Sequence, residues 1–196
     1  MSLPTVLEVK PIKFPQEVDD GALFVRAYVE VKIPFNLQKQ QQANWCWAAM
    51  TDSVNKFFDP GTSWTQCKLA SAHFTGNNCC VNGGSAACNQ PYPTRNALRD
   101  LGNLGSVQNN PAGFQTIMNE MNGTRPLACR VEWRGGGAHV VAVYGFAQAD
   151  YDGLFDQWVF VKDPGQGIGD SQYLYNKFKA EYQGVGQWAA TYLTQA

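Results

Sequence analysis

Apolar and polar positions alternate near the N-terminus, in TVLEVKPIKF and ALFVRAYVEVKI, with the turn-forming EVDDG between them. Period two marks half-buried strands, so residues 4 to 35 are expected to hold two. From Asn44 the period lengthens. Cys46, Ala49, Met50, Ser53, Val54 and Phe57 fall on one face of a helix that stops before Asp59-Pro60-Gly61, with Asn44 as its N-cap. Ser63-Trp64-Thr65-Gln66 has the spacing of a capping box and opens a second helix to about Phe74; Thr94 opens a third, ended by Gly102. A fourth follows Asn110-Pro111, with Phe114, Ile117, Met118 and Met121 as its apolar stripe and Gly123 placed for a left-handed C-terminal cap. After Pro126 period two returns: Leu127, Cys129, Val131 and Trp133 share a face, and AHVVAVYGF, QWVFVKD and a closing QWAATYLT read as strands. SQYLYNKFKAEY reads as a short helix. Helices between two strand regions make the fold class α+β.

Composition narrows the class. With 196 residues the chain suits one domain, and 44% apolar, 13% aromatic and 16% charged residues describe a packed globular protein. A net charge of -1 and a pI near 6.1 give no electrostatic reason for a nucleic-acid or anionic-membrane partner. No stretch approaches the ~20 apolar residues of a spanning helix. The N-terminus lacks the basic-then-apolar order of a secretory signal, and Met1-Ser2-Leu3 could stand in place of a removed leader.

Two histidines, His73 and His139, limit any chemistry that needs an imidazole. His139 follows Gly135-Gly136-Gly137-Ala138, where bare backbone lets a substrate come close, and is the better candidate. If residues 138 to 146 and 157 to 163 form an antiparallel hairpin, facing residues have numbers summing to about 302, which sets His139 opposite Asp163. A histidine oriented by an aspartate needs a thiol or hydroxyl to complete a nucleophilic site. Cys46 fits, in the first turn of its helix, where the dipole and an imidazolium favour the thiolate. The Cys46 N–H and the Gln40 side-chain amide would supply oxyanion donors, with Gln38, Gln41 and Gln42 near enough to substitute for Gln40.

The other cysteines divide. Cys129 shares a strand face with apolar neighbours and reads as a core thiol. Cys67, Cys79, Cys80 and Cys88 lie within 22 residues; pairing 79 with 80 is sterically poor, which leaves two connectivities open. Zinc is disfavoured because Cys67 and His73 are about 240° apart around a helix. Disulfides are the preferred reading, and they favour a secreted or exported protein.

Gln40, Cys-Trp-Ala-Ala at 46 to 49, Gly-Ala-His-Val-Val at 137 to 141, Val-Lys-Asp-Pro at 161 to 164, Thr124-Arg125-Pro126 and the closing Gly186-Gln187-Trp188 resemble papain-like cysteine peptidases. The likeness is closest to the bacterial branch that includes leader peptidases of double-glycine exporters and effector peptidases of plant pathogens. It runs from about residue 30 to the end. It implies a helical lobe, about 44 to 123, carrying the nucleophile, and an antiparallel sheet lobe, about 124 to 196, carrying His139 and Asp163, with residues 1 to 30 a strand-forming extension packed on the domain. Asp163 stands where plant enzymes of this type have asparagine. The resemblance further implies peptide-bond hydrolysis by Cys46, His139, Asp163 and Gln40, with Trp45, Trp47, Gly136, Gly137 and Ala138 as cleft walls. No metal or cofactor is expected, the partner is a peptide or protein substrate, and a monomer is favoured. The same groups on this fold also suit an amidase or acyl transferase, and a disulfide-stapled binding module is the alternative of another class.

Overall fold

A computed structural model describes residues 27–151 and 154–196. The first expected strand, TVLEVKPIKF, lies outside the described residues; the second is β1 (Ala27–Lys32). Residues 27–30, assigned above to the extension, are therefore part of the sheet. There follow α1 (Cys46–Phe58), α2 (Gln66–His73), α3 (Thr94–Asp100), β2 (Leu104–Gln108), α4 (Phe114–Asn122), β3 (Leu127–Trp133), β4 (Ala138–Tyr151), β5 (Leu154–Lys162), β6 (Asp170–Leu174), α5 (Tyr175–Glu181) and β7 (Gly186–Thr194). All strand pairings are antiparallel, in the order β2-β7-β3-β4-β5-β6, with β1 beside the outer half of β4. The chain is thus a mixed protein with helices and one antiparallel sheet.

The interior strands explain the apolar runs. Val140 to Val143 are all buried, as a central strand covered on both faces requires. Met50 and Val54 of α1, Ile117 and Met121 of α4, Phe178 of α5 and Trp188 of β7 join β3 and β4 in one core. A second cluster gathers Trp45, Trp47, Ala48, Leu69, Ala70, Cys79, Cys88 and Ala97 among α1, α2 and α3.

Four local expectations need correction. The capping box does not form: Thr65 caps α2 by accepting from the Lys68 N–H, and Gln66 turns inward instead. Gly123 has φ -82°, and the left-handed residue is Thr124, at 56°. The Arg125 N–H returns to the Glu120 carbonyl and the Thr124 N–H to that of Met121, a Schellman closure that requires the left-handed residue just after the cap. SQYLYNKFKAEY divides, its first half being β6 and its second α5. Finally, β2 carries no readable strand pattern, because LGSVQ is short and none of it is fully buried, and its strand form comes from pairing with β7.

The β4–β5 register also differs from the expected 302. Near the tip, Tyr151 faces Leu154 and Phe146 faces Val159; Tyr144 is then an extra residue, and Val143 faces Val161 and Ala142 faces Lys162. This β-bulge lowers the sum from 305 to 304. His139 is therefore not opposite Asp163 but two residues diagonal to it. A shift of two keeps both side chains on one face, where a shift of one would part them.

Candidate active site

Cys46 is the first residue of α1, where backbone N–H groups have no acceptor within the helix. The expected cap is absent: Trp45 holds the N-cap position with no side-chain bond, and Asn44 is drawn to Asn89 instead. The preceding loop is tied from two sides. The Gln41 N–H donates to Gln66 Oε1 at 2.9 Å and Gln66 Nε2 to the Lys39 carbonyl at 2.9 Å, which explains the inward turn of Gln66. On the sheet side, the Gln40 N–H donates to the Pro164 carbonyl, Lys39 Nζ to the Asp163 and Gly165 carbonyls, and Gln166 Nε2 to the Gln40 carbonyl.

A cavity of about 290 Å³ lies where these pieces meet, lined by Gln40, Cys46, His139 and Asp163 together with Ala43, Asn44, Pro91, Trp133, Ala138, Gly165, Ile168 and Gln183. His139 Nε2 is 2.8 Å from Asp163 Oδ1, and Cys46 lines the same cavity, near enough to the ring to contribute to its raised pKa. Trp133 stacks on His139 at 6.1 Å between ring centres. Asp163 is fully buried at its side chain and receives three further donors: the Gly165 N–H at 2.6 Å, the Tyr182 hydroxyl at 2.5 Å and Gln183 Nε2 at 3.4 Å. A buried charge is tolerated only when paired and hydrogen-bonded in this way.

These contacts fix the protonation states. Burial pulls the His139 pKa down, but the hydrogen bonds and charges of Asp163 and Cys46 outweigh it and raise it from 6.5 to about 9. Burial pushes the Asp163 carboxyl up, while His139, Tyr182 and the Gly165 N–H more than offset this and hold it below its ordinary value. Burial and the neighbouring carboxylate push the Tyr182 hydroxyl far up, so it stays a donor.

Of the residues singled out in the sequence, Gln40, Cys46, Ala138, His139 and Asp163 meet in this cavity. Gln40 Nε2 donates to the Gln42 and Ala43 carbonyls, at 3.0 and 2.7 Å, and its Oε1 is buried without a hydrogen-bond partner. Trp45 and Trp47 are not cleft walls: each is 1% exposed and packed in the second core, as large apolar rings beside α2 and α3 must be. Gly136 and Gly137, at φ 92° and 83°, form the β3–β4 turn rather than line the cavity. Cys67 pairs with Cys80 and Cys79 with Cys88, placed as disulfides, while Cys46 and Cys129 are free. Trp133, Pro91, Ile168, Tyr182 and Gln183 went unread as site residues; an aromatic at a strand end beside a glycine turn was the one available signal, and it marked Trp133 alone.

A cysteine, an imidazole and a buried carboxylate meet in one cleft, the set of groups that nucleophilic thiol chemistry requires. The family model for the papain-like cysteine protease AvrRpt2 matches residues 28–183, and the chain belongs to that family. It is a cysteine-type peptidase, and its substrates are proteins or peptides. A search of curated proteins found no match. Among the described residues no helix is long and apolar enough to cross a membrane, and no group of three or more His, Cys, Asp or Glu side chains is placed to hold a metal ion.

Proposed function

We propose that Cys46, His139 and Asp163 form a Cys-His-Asp triad that hydrolyses peptide bonds through a thioacyl-enzyme, in a cleft between a helical lobe carrying Cys46 and a sheet lobe carrying the other two. The observation that carries this reading is the His139 ring, bonded to Asp163 and sharing one cavity with Cys46. Cys46 Sγ attacks the substrate carbonyl carbon as a thiolate. The Cys46 N–H, free at the start of α1, faces the developing oxyanion; Gln40 joins it when its amide exchanges one carbonyl partner for that oxygen. His139 then protonates the departing amine, leaving a thioester. A water that gives its proton to His139 cleaves the thioester and releases the acid. Asp163 keeps the ring turned toward Cys46, and Tyr182, Gln183 and Gly165 keep Asp163 turned toward the ring.

Incubation of the protein and its Cys46→Ala variant with a peptide library derived from denatured proteins tests the assignment. Cleavage by the parent and none by the variant is expected; equal cleavage by both would overturn it. The two disulfides further support an exported protein.

A further inference from the structure

Three consecutive residues, Cys88, Asn89 and Gln90, accept hydrogen bonds from residues on both sides of Cys46. Trp45 Nε1 donates to the Cys88 carbonyl at 2.8 Å and Trp47 Nε1 to the Gln90 carbonyl at 3.1 Å. Asn44 is gripped twice: its N–H donates to Asn89 Oδ1 and its Nδ2 to the Asn89 carbonyl, both at 2.9 Å. None of these four bonds belongs to the ladder of α1, and none reaches His139 or Asp163. The strut itself is tied down. Cys88 is bonded to Cys79, both cysteines are almost wholly buried, and the strut runs on to Pro91 in the cavity wall. The chain between the two cysteines passes so near Trp45 that a Cβ on Gly83 would stand 3.0 Å from the indole and 2.9 Å from the Cys79 carbonyl.

This arrangement answers a mechanical need. α1 starts at Cys46 with no side-chain cap, and uncapped first turns fray. A reacting atom displaced by about 1 Å can lose a hundredfold in rate. Of the three strut residues, Asn89 alone contributes its side chain. We propose that Asn89 is a positioning residue for Cys46, acting through Asn44 from a strut anchored by Cys79–Cys88. The inference rests on Cys46 being the nucleophile, and it gives the two flanking tryptophans a role: each indole packs in the core while its N–H reaches the strut.

The test compares the parent with Asn89→Ala and Asn89→Asp, reading kcat, KM, Tm and the rate at which iodoacetamide alkylates Cys46. For Asn89→Ala, kcat and the alkylation rate should each fall about tenfold, with KM and Tm little changed. Asn89→Asp retains an acceptor for the Asn44 N–H and should recover most of the loss. The joint variant Cys79→Ser with Cys88→Ser should shift kcat in the same direction; should it fail to fold, the Asn89 pair still decides. Parental kcat and alkylation in Asn89→Ala would overturn the proposal, as would a loss that tracks Tm or one that Asn89→Asp does not restore. If cleavage by the parent proves independent of Cys46, the triad reading fails by that result alone, and the alkylation rates still decide the positioning role.

Discussion

Asp163 is a buried carboxylate with four donors around it, and the imidazole is one of them. Against the downward pull of burial, its hydrogen bond and charge, with a contribution from Cys46, raise the His139 pKa to about 9. A raised folded-state pKa adds stability that is complete below about 6.5 and is lost as pH rises through about 9. Asp163, held below its ordinary value, contributes above the usual carboxylate range, and that contribution is lost on acidification. The ion pair therefore persists across neutral pH. The pH profile of kcat/KM should stay level through neutrality and fall near 9, and Asp163→Asn should move that fall to lower pH. An alkaline limb that does not move would separate Asp163 from His139 protonation. The convergence of Cys46, His139 and Asp163 on one cavity is legible in the sequence because motif order and strand pattern both point to it. The contacts of Tyr182 and Gln183 with Asp163 are not, since they are made from a turn that carries no motif.

At the level of elements, local signals predicted where helices begin only when no long-range partner competed. Asn44 had a cap residue's identity, but Asn89, 45 residues away, took its side chain. Gln66 had a capping-box position, but the glutamine loop claimed it. The alternation predicts the β4–β5 pairing but not its register, because a bulge leaves no mark in an apolar alternation. β2 shows the same limit from another side: its strand conformation is imposed by β7, not by its own residues. The α2 region depends on covalent ties as well. Cys67–Cys80 closes a loop with a sequence separation of 13, and loops of this size gain about 3 kcal/mol from a crosslink. Urea unfolding of the Cys67→Ser, Cys80→Ser variant should show a loss of about that size. An unchanged midpoint would mean that packing alone holds α2.

Across the whole molecule, the segment from Lys39 to Gln41 is stitched to Gln66 on the helical side and to Asp163, Pro164, Gly165 and Gln166 on the sheet side. No residue pattern marks this stitching, since glutamine runs carry no periodic signal. Cys129 reports on the integrity of the assembly, being wholly enclosed, with burial raising its thiol pKa. In native protein, iodoacetamide should label Cys46 and spare Cys129, which should react only as the molecule unfolds globally, at a rate that rises with denaturant. Equal labelling of both under native conditions would mean that the sheet opens locally. The bulge at Tyr144 has a consequence that is best counted in chain length. One residue gained or lost within the paired strands between His139 and Asp163, as opposed to the turn that joins them, exchanges odd for even and turns the histidine and the aspartate to opposite sides of the sheet; two do not. Functional descendants of this chain should therefore vary those paired strands by even numbers of residues, or carry a second single-residue change that restores the count.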